Sequence, residues 1–317
     1  MREHDFSHEP TRGRRRRFDD DEPRPTRHRR GVDLTTLTTL DERGGVEDDG
    51  PPEGDRWSNW DGAEHGPRPR PGWVITDHGA VDTELGVLKT GKEADVHLLE
   101  RAVPSDPAQS VVMAAKRYRT AQHRMFHRDA GYLEGRRVRR SREMRAMATR
   151  TAFGRDLLSG QWANAEFSAL TRLWQAGVPV PYPIQLVGTE LLLEYLGTDD
   201  GEAAPRLAQL RPDPEELSDL WTQLVDALFG LTRLGLAHGD LSAFNLLVHE
   251  GRLVVIDLPQ VVDVVGNPNG PDFLARDVRR IGEWFAARGL PSDVGDPVAL
   301  LDELRAEIGL PHVSHDL

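Results

Sequence analysis

The segment HGDLSAFNLLV, residues 238 to 248, places a carboxylate at Asp240 and an amide at Asn245, and VVIDL follows with a second carboxylate at Asp257. On a short loop, Asp240 can take the proton of an arriving hydroxyl nucleophile. The amide oxygen of Asn245, five residues on, can face a divalent cation, and Asp257, at the end of an apolar β-run, can supply that cation's second ligand. With 12 His, 30 Asp and 5 Asn among 317 residues, the spacing His-x-Asp-x4-Asn arises by chance only about 0.02 times. The competing structural reading makes Asp240 a turn cap, Asn245 a turn filler and Asp257 the end of a hairpin.

Lysine is the second signal, because this Arg-rich chain has only three, Lys89, Lys92 and Lys116. An ammonium is a compact point charge that suits a tight oxygen site. Lys116 follows VVMAA on an expected strand, where it can reach phosphates, and Glu166 lies on an apolar-faced helix that can hold it. The plain alternatives are an exposed strand lysine and a solvated helix glutamate. Thr90-Gly91-Lys92-Glu93 can wrap phosphates with backbone N–H groups or be an ordinary hairpin turn.

These groups need elements to position them. ELGVLKTGKEADVHLLE and VVMAAKRYR read as three strands, the first two joined across TGKEAD. Trp162, Phe167, Leu170, Leu173 and Trp174 recur at helical spacing until Gly177 and Pro179 end the run. IQLVGTELLLEYLG gives two strands about Gly188 and Thr189. The segment from Asp213 to Gly235 is a long amphipathic helix, opened by Asp213 and Pro214 and closed by Gly235. LLVHEGRLVVIDL is a hairpin turning at Glu250 and Gly251, and the chain from about Asp272 is mainly helical. A strand-rich half followed by a helical half predicts two lobes.

Composition narrows the classes further. Cys is absent, which excludes disulfides, Cys-ligated zinc, iron-sulfur clusters and thiol nucleophiles. No run approaches the ~20 apolar residues of a membrane helix, and the N-terminal residues lack an apolar signal segment, so a soluble cytoplasmic protein without membrane contact is expected. The net charge of -12 is unevenly distributed. Residues 116 to 155 carry 13 basic against 3 acidic side chains, whereas residues 156 to 317 carry 10 against 25. Residues 1 to 72, with Arg14 to Arg17 beside Asp19 to Glu22, read as a disordered charged tail. Residues 73 to 197 then form the first lobe, with a basic insertion at 117 to 160, and residues 198 to 317 the second. The stretch 117 to 155 could grip RNA or a ribosomal particle, or be a solvated loop.

In chain order, these pieces resemble the RIO-type atypical serine/threonine protein kinases, over about residues 80 to 280. TGKEADV is similar to that family's phosphate-binding loop, AAKRY to its lysine-bearing strand, WANAEFSAL to its WAxxE helix, LLLEYLG to its hinge, HGDLSAFN to its catalytic loop and IDLPQ to its metal loop. The resemblance implies an α+β, bilobal protein-kinase-like fold using ATP and Mg2+. It implies that Thr90 to Ala94 (Thr90, Gly91, Lys92, Glu93, Ala94) cradle phosphates and that Lys116 contacts them while paired with Glu166. Glu194 and Leu196 would offer backbone groups to adenine, Asp240 would orient or deprotonate the acceptor hydroxyl, and Asn245 and Asp257 would bind Mg2+. The acceptor it implies is a protein Ser/Thr, with autophosphorylation included. A small-molecule phosphotransferase of aminoglycoside-kinase type, and a slow ATPase cycling through Asp257 as a ribosome- or RNA-associated assembly factor, are the alternatives. The chain departs from ordinary protein kinases in lacking GxGxxG and Ala-Pro-Glu and in reading Asp-Leu-Pro for Asp-Phe-Gly. It departs from the RIO pattern at Lys89, where Ser is usual, and at Pro259, where a small polar residue is usual.

Overall fold

The computed structural model describes residues 51, 53–119, 152–198 and 201–311. The expectations for residues 1 to 50 and for 120 to 151, most of the basic insertion, lie outside them. The chain enters the sheet through β1 (Arg56–Trp57), a 3-10 turn at Trp60–Gly62 and β2 (Glu64–His65). Next come β3 (Val81–Thr90), β4 (Ala94–Val103) and β5 (Asp106–Tyr118), the three strands that the alternating apolar pattern predicts. Helix α1 (Ala152–Gln175) is followed by β6 (Pro183–Val187) and β7 (Glu190–Glu194), and the seven strands join antiparallel in the order β1-β3-β4-β5-β7-β6-β2.

The boundary expected at Gly72 therefore falls too late. Strands β1 and β2 sit on opposite edges of the sheet, so residues 56 to 65 run across one face as a strap. Its apolar anchor is Trp60, buried with Leu99, Met113, Ile184 and Leu192, stacked on His65 at 3.9 Å between ring centroids and covered by the Arg70 guanidinium. One aromatic residue gives no periodicity, which is why the composition reads as tail. Polar pairing does the rest beneath the strap. Arg101, fully buried, donates to both oxygens of Asp82 at 2.7 and 3.0 Å and to Gln185 Oε1 at 2.9 Å, and Gln185 donates to Asn59 Oδ1 of the strap at 2.6 Å.

Helix α1 also begins ten residues before the expected Trp162. Gly154 and Gly160 lower the helix propensity of that first stretch, and apolar spacing becomes clear only where Trp162, Ala163, Phe167, Leu170 and Leu173 enter the core.

The second lobe follows its local signals. The side chain of Asp213 accepts from the N–H groups of Glu215 and Glu216, both at 2.9 Å, Pro214 occupies the first turn, and α2 (Pro214–Arg233) ends before Gly235 at φ 72°. Strand β8 (Leu236–Ala237) leads into the loop at 238 to 245. The hairpin β9 (Leu246–His249) and β10 (Arg252–Val255) turns at Glu250 and Gly251, and β11 (Val262–Asp263) returns to pair with β8. Helices α3 (Gly270–Ala286) and α4 (Pro297–Glu307) complete it. One apolar cluster runs from Ala94 and Tyr118 through α1 to α2, α3 and α4, so both lobes share a core behind the cleft. Among the described residues, no helix is long and apolar enough to cross a membrane.

Breaking the buried pair under the strap leaves an uncompensated charge, which is far costlier than losing both partners. Asp82→Ala is expected to lower unfolding stability by about 3 to 5 kcal/mol in urea titration, while the double variant Asp82→Leu with Arg101→Met recovers most of it. Equal losses in the two variants would show that packing, not charge, holds this face.

Candidate active site

A cleft of about 630 Å³ opens between the sheet and the second lobe, bordered by Val96, Ala114 and Lys116 on one wall and by Asp240, Leu247 and Asp257 on the other. Strand alternation decides what faces it. On β5, Ala114, Lys116 and Tyr118 face the cleft, whereas Arg117 faces the opposite side and donates to Glu84 and to Glu190.

Lys116 Nζ lies 2.7 Å from Glu166 Oε1 and 2.8 Å from Asp257 Oδ1. The structure thus brings together three residues spaced by 50 and 141 positions. Glu166 is 1% exposed. A carboxylate so buried must have its charge matched, and here the Tyr118 hydroxyl donates to Oε2 while the Leu258 N–H donates to Oε1 at 3.1 Å. Burial works against the ammonium of Lys116, but Glu166 and Asp257 outweigh it and hold the amine protonated well above the usual lysine range. Burial likewise opposes ionisation of Asp257, and Lys116 overcomes that and keeps its carboxyl below the usual carboxylate range. Burial and the Glu166 anion push the Tyr118 phenol up, so it stays a donor. Asp257 has φ 67°, a strained left-handed backbone for a residue with a side chain, and the ion pair and the Leu258 N–H bond hold it there.

The loop carrying Asp240 is held from behind. Asp277 on α3, 1% exposed, accepts from the N–H of Gly239 at 2.7 Å and of Leu241 at 3.0 Å, and the Arg276 guanidinium donates to the Gly239 carbonyl. Burial pushes the Asp277 carboxyl up, against the pull of His238 and the two N–H groups. His238 Nε2 donates to the Ile256 carbonyl at 3.0 Å. Gly239 sits at φ 85°, where an added Cβ would lie 2.3 Å from the Gln260 carbonyl oxygen, so only glycine fits. Asp240 itself accepts from Arg280 on α3 at 3.0 Å. Asn245 Nδ2 donates to the Asp240 carbonyl at 2.9 Å, which leaves Oδ1 for a cation, and the Ile256 N–H bond to the Asn245 carbonyl at 3.0 Å sets Asn245 beside Asp257.

The remaining expected residues fall as follows. Gly91, Lys92, Glu93 and Ala94 border the cleft in the tight turn between β3 and β4, closed by Gly91 N–H to the Ala94 carbonyl at 3.0 Å; Thr90 ends β3 and does not border it. Glu194 and Leu196 line the back of the cleft. The Glu194 N–H donates to the Tyr182 carbonyl, and the Leu196 carbonyl accepts from Ala204.

Three contributors were not read from the sequence. Tyr118 was detectable, two residues after Lys116 on a strand and hence on the same face. Asp277 was detectable too, as a carboxylate inside the buried α3 stripe of Leu274, Val278, Ile281 and Phe285. Arg280 is exposed and carries no such signal.

Removing Asp277 strips the acceptor from two buried N–H groups. Asp277→Ala is expected to lower stability by about 2 to 4 kcal/mol in urea titration. Unchanged stability would mean that the loop is held without it.

A family pattern described as the RIO domain matches residues 105–295. The RIO-type serine/threonine-protein kinase Rio1 of Haloferax volcanii is 35% identical over 223 residues, covering 70% of this chain and 69% of that one. The serine/threonine-protein kinase RIO1 of Chaetomium thermophilum is 33% identical over 65% of this chain, which spans only 40% of that relative's length. A crystal structure of the Chaetomium thermophilum Rio2 kinase, in an ADP/Mg2+-phosphoaspartate complex, aligns with a TM-score of 0.47 at 22% identity, covering 70% of this chain and 66% of the other. With Lys116, Glu166, Asp240 and Asp257 bordering one cleft, Asn245 bonded to the Asp240 carbonyl beside it, and the domain pattern spanning most of the described fold, the chain belongs to the RIO family of serine/threonine protein kinases.

Proposed function

We propose that the cleft binds ATP with Mg2+ and transfers the γ-phosphoryl to a Ser or Thr hydroxyl of a protein, this chain's own hydroxyls included. The observation that carries the reading is Lys116 held by both Glu166 and Asp257 across from Asp240. Glu166 aims the ammonium into the cleft, where it meets phosphate oxygens. The apolar wall of Val96, Ala114 and Leu247 takes the adenine ring. With the Glu194 N–H and the Leu196 carbonyl already engaged, the groups they can offer the ring are the Glu194 carbonyl and the Leu196 N–H. The turn from Gly91 to Ala94, which follows Thr90 at the end of β3, covers the phosphates.

Asp257 and Asn245 are the residues that would hold Mg2+. One carboxylate and one amide, both hard oxygen donors, suit an ion that completes its shell with phosphate and water oxygens. Bound there, the ion would neutralise charge on the transferring phosphoryl group. Asp240 accepts the proton of the incoming hydroxyl, its loop fixed by Asp277, and Arg280 orients its carboxylate.

Asp240→Asn should preserve ATP affinity while lowering transfer to a peptide hydroxyl by ~10²-fold or more. Lys116→Ala should weaken ATP binding and spare adenosine. Calorimetry with both ligands, beside a labelled-phosphate transfer assay, decides it; transfer at the parent rate by Asp240→Asn removes the assignment of the base.

The basic stretch 117 to 155 supports an RNA or ribosomal partner by charge alone. Neutralising Arg136, Arg137, Arg139 and Arg140 together should flatten the salt dependence of RNA binding by ~0.7 to 0.9 log units for each phosphate that is no longer neutralised. An unaltered slope leaves that stretch a solvated loop.

A further inference from the structure

Lys116 spends its charge on two carboxylates, whereas Lys89 has no carboxylate bonded to it among the described residues. Its placement is built into the sheet. Val87 pairs with His97, but the register then shifts, so that Lys89, not Leu88, stands opposite Val96. Val96 in turn pairs with Lys116. Residues directly opposite one another in an antiparallel pair share a face, and Val96 and Lys116 both border the cleft. The bulge therefore turns Lys89 into the cleft, where an unshifted register would send it to the other face. With strands about 4.8 Å apart, Lys89 stands roughly 10 Å from Lys116 along the ladder.

From the other wall comes Arg206, which borders the same cleft and donates to the Phe244 carbonyl just before Asn245. Burial, then the Arg206 guanidinium, push the Lys89 ammonium below the usual lysine range; Lys116 adds to this, and Asp257 opposes it. Asp257 is already bonded to Lys116. Two cations from opposite walls thus border one cleft, with no carboxylate bonded to either among the described residues, and their mutual repulsion is offset by an anion of high charge density placed between them.

We propose that Lys89 and Arg206 form an anion subsite at the mouth of the cleft that holds the terminal phosphates of a nucleoside triphosphate, giving this chain a preference for triphosphate over diphosphate beyond what Lys116 supplies. The subsite rests on the nucleotide reading of the cleft for its natural ligand, but its anion affinity can be measured without a nucleotide.

The test is calorimetric titration of the full chain with ATP, ADP, adenosine and inorganic tripolyphosphate at one fixed Mg2+ concentration. Lys89→Ser removes the charge and keeps a polar side chain. Its affinity for ATP and for tripolyphosphate should fall about 10-fold, a charged hydrogen bond's worth. ADP should lose less than about 3-fold, adenosine should be unchanged, and Lys89→Arg should recover most of the triphosphate affinity. Because the contact is between charges, the loss should shrink as salt rises. Lys89→Ser binding ATP and tripolyphosphate like the parent overturns the subsite while leaving the nucleotide reading intact, and so does a loss that includes adenosine to the same degree. A parent chain that binds tripolyphosphate in a Lys89-dependent way but neither adenosine nor ATP overturns the nucleotide reading while the anion subsite stands.

Discussion

A protonated amine held between two carboxylates is the interaction on which the cleft depends. Glu166 is deeply buried and needs its polar atoms matched, and Asp257 sits in a backbone conformation that costs energy. Lys116 answers both, with help from the Tyr118 hydroxyl and the Leu258 N–H. The bonded groups come from three places, the sheet, α1 and the segment after β10. Such a cluster is not justified by net stability, since a buried ion pair rarely exceeds its own desolvation cost. Its product is geometry: one ammonium and one carboxylate pointing into a cleft that Val96, Ala114 and Leu247 line with apolar side chains.

The opposite wall uses the same device with backbone instead of charge. Asp277 ties down the two N–H groups that flank Asp240, and Gly239 lets the loop approach the Gln260 carbonyl more closely than any side chain would permit. The buried partners are therefore the ones that position, while Asp240, the residue they hold, stays accessible. Asp240 and Arg280 keep 36% and 46% of their side-chain surface.

What could be read in the sequence follows from how local each signal is. Strands β3 to β5 and the β9-β10 hairpin announce themselves by alternation and turn residues, and α2 by the Asp213 cap with Pro214 and Gly235. That Lys116, Asp240 and Asp257 would meet in one cleft was legible because His-x-Asp-x4-Asn and a rare lysine stand out by type and spacing. The strap was not legible, because it is held by Trp60, by backbone pairing to distant strands and by a hydrogen bond from Gln185 to Asn59 spanning 126 positions. Nor was the start of α1, where two glycines mask a helix that tertiary contacts sustain. Asp277 was missed for a different reason. A carboxylate in an apolar helical stripe is conspicuous only once one asks which backbone groups it must satisfy.

The strap also divides the sheet into two mechanical halves. Strand β1 pairs only with Val81 and Asp82, and Asp55 just before it accepts from the Glu84 N–H at 2.7 Å, so this segment covers the start of β3 and leaves Leu85 to Thr90 without an outer strand among the described residues. Beneath it the Arg101 and Asp82 pair is sealed, and Arg56 and Arg117 both clasp Glu190, binding β1, β5 and β7 into one block. Toward the cleft the picture reverses. Leu85 and Val87 are 49% and 61% exposed, two register shifts interrupt the ladder, and the turn from Gly91 to Ala94 hangs at its end. Few apolar contacts and solvent-exposed backbone bonds are the physical content of low local stability. The same strand is thus anchored where it carries the fold and loose where it borders the cleft, and the bulge that aims Lys89 inward sits on the loose side of that division.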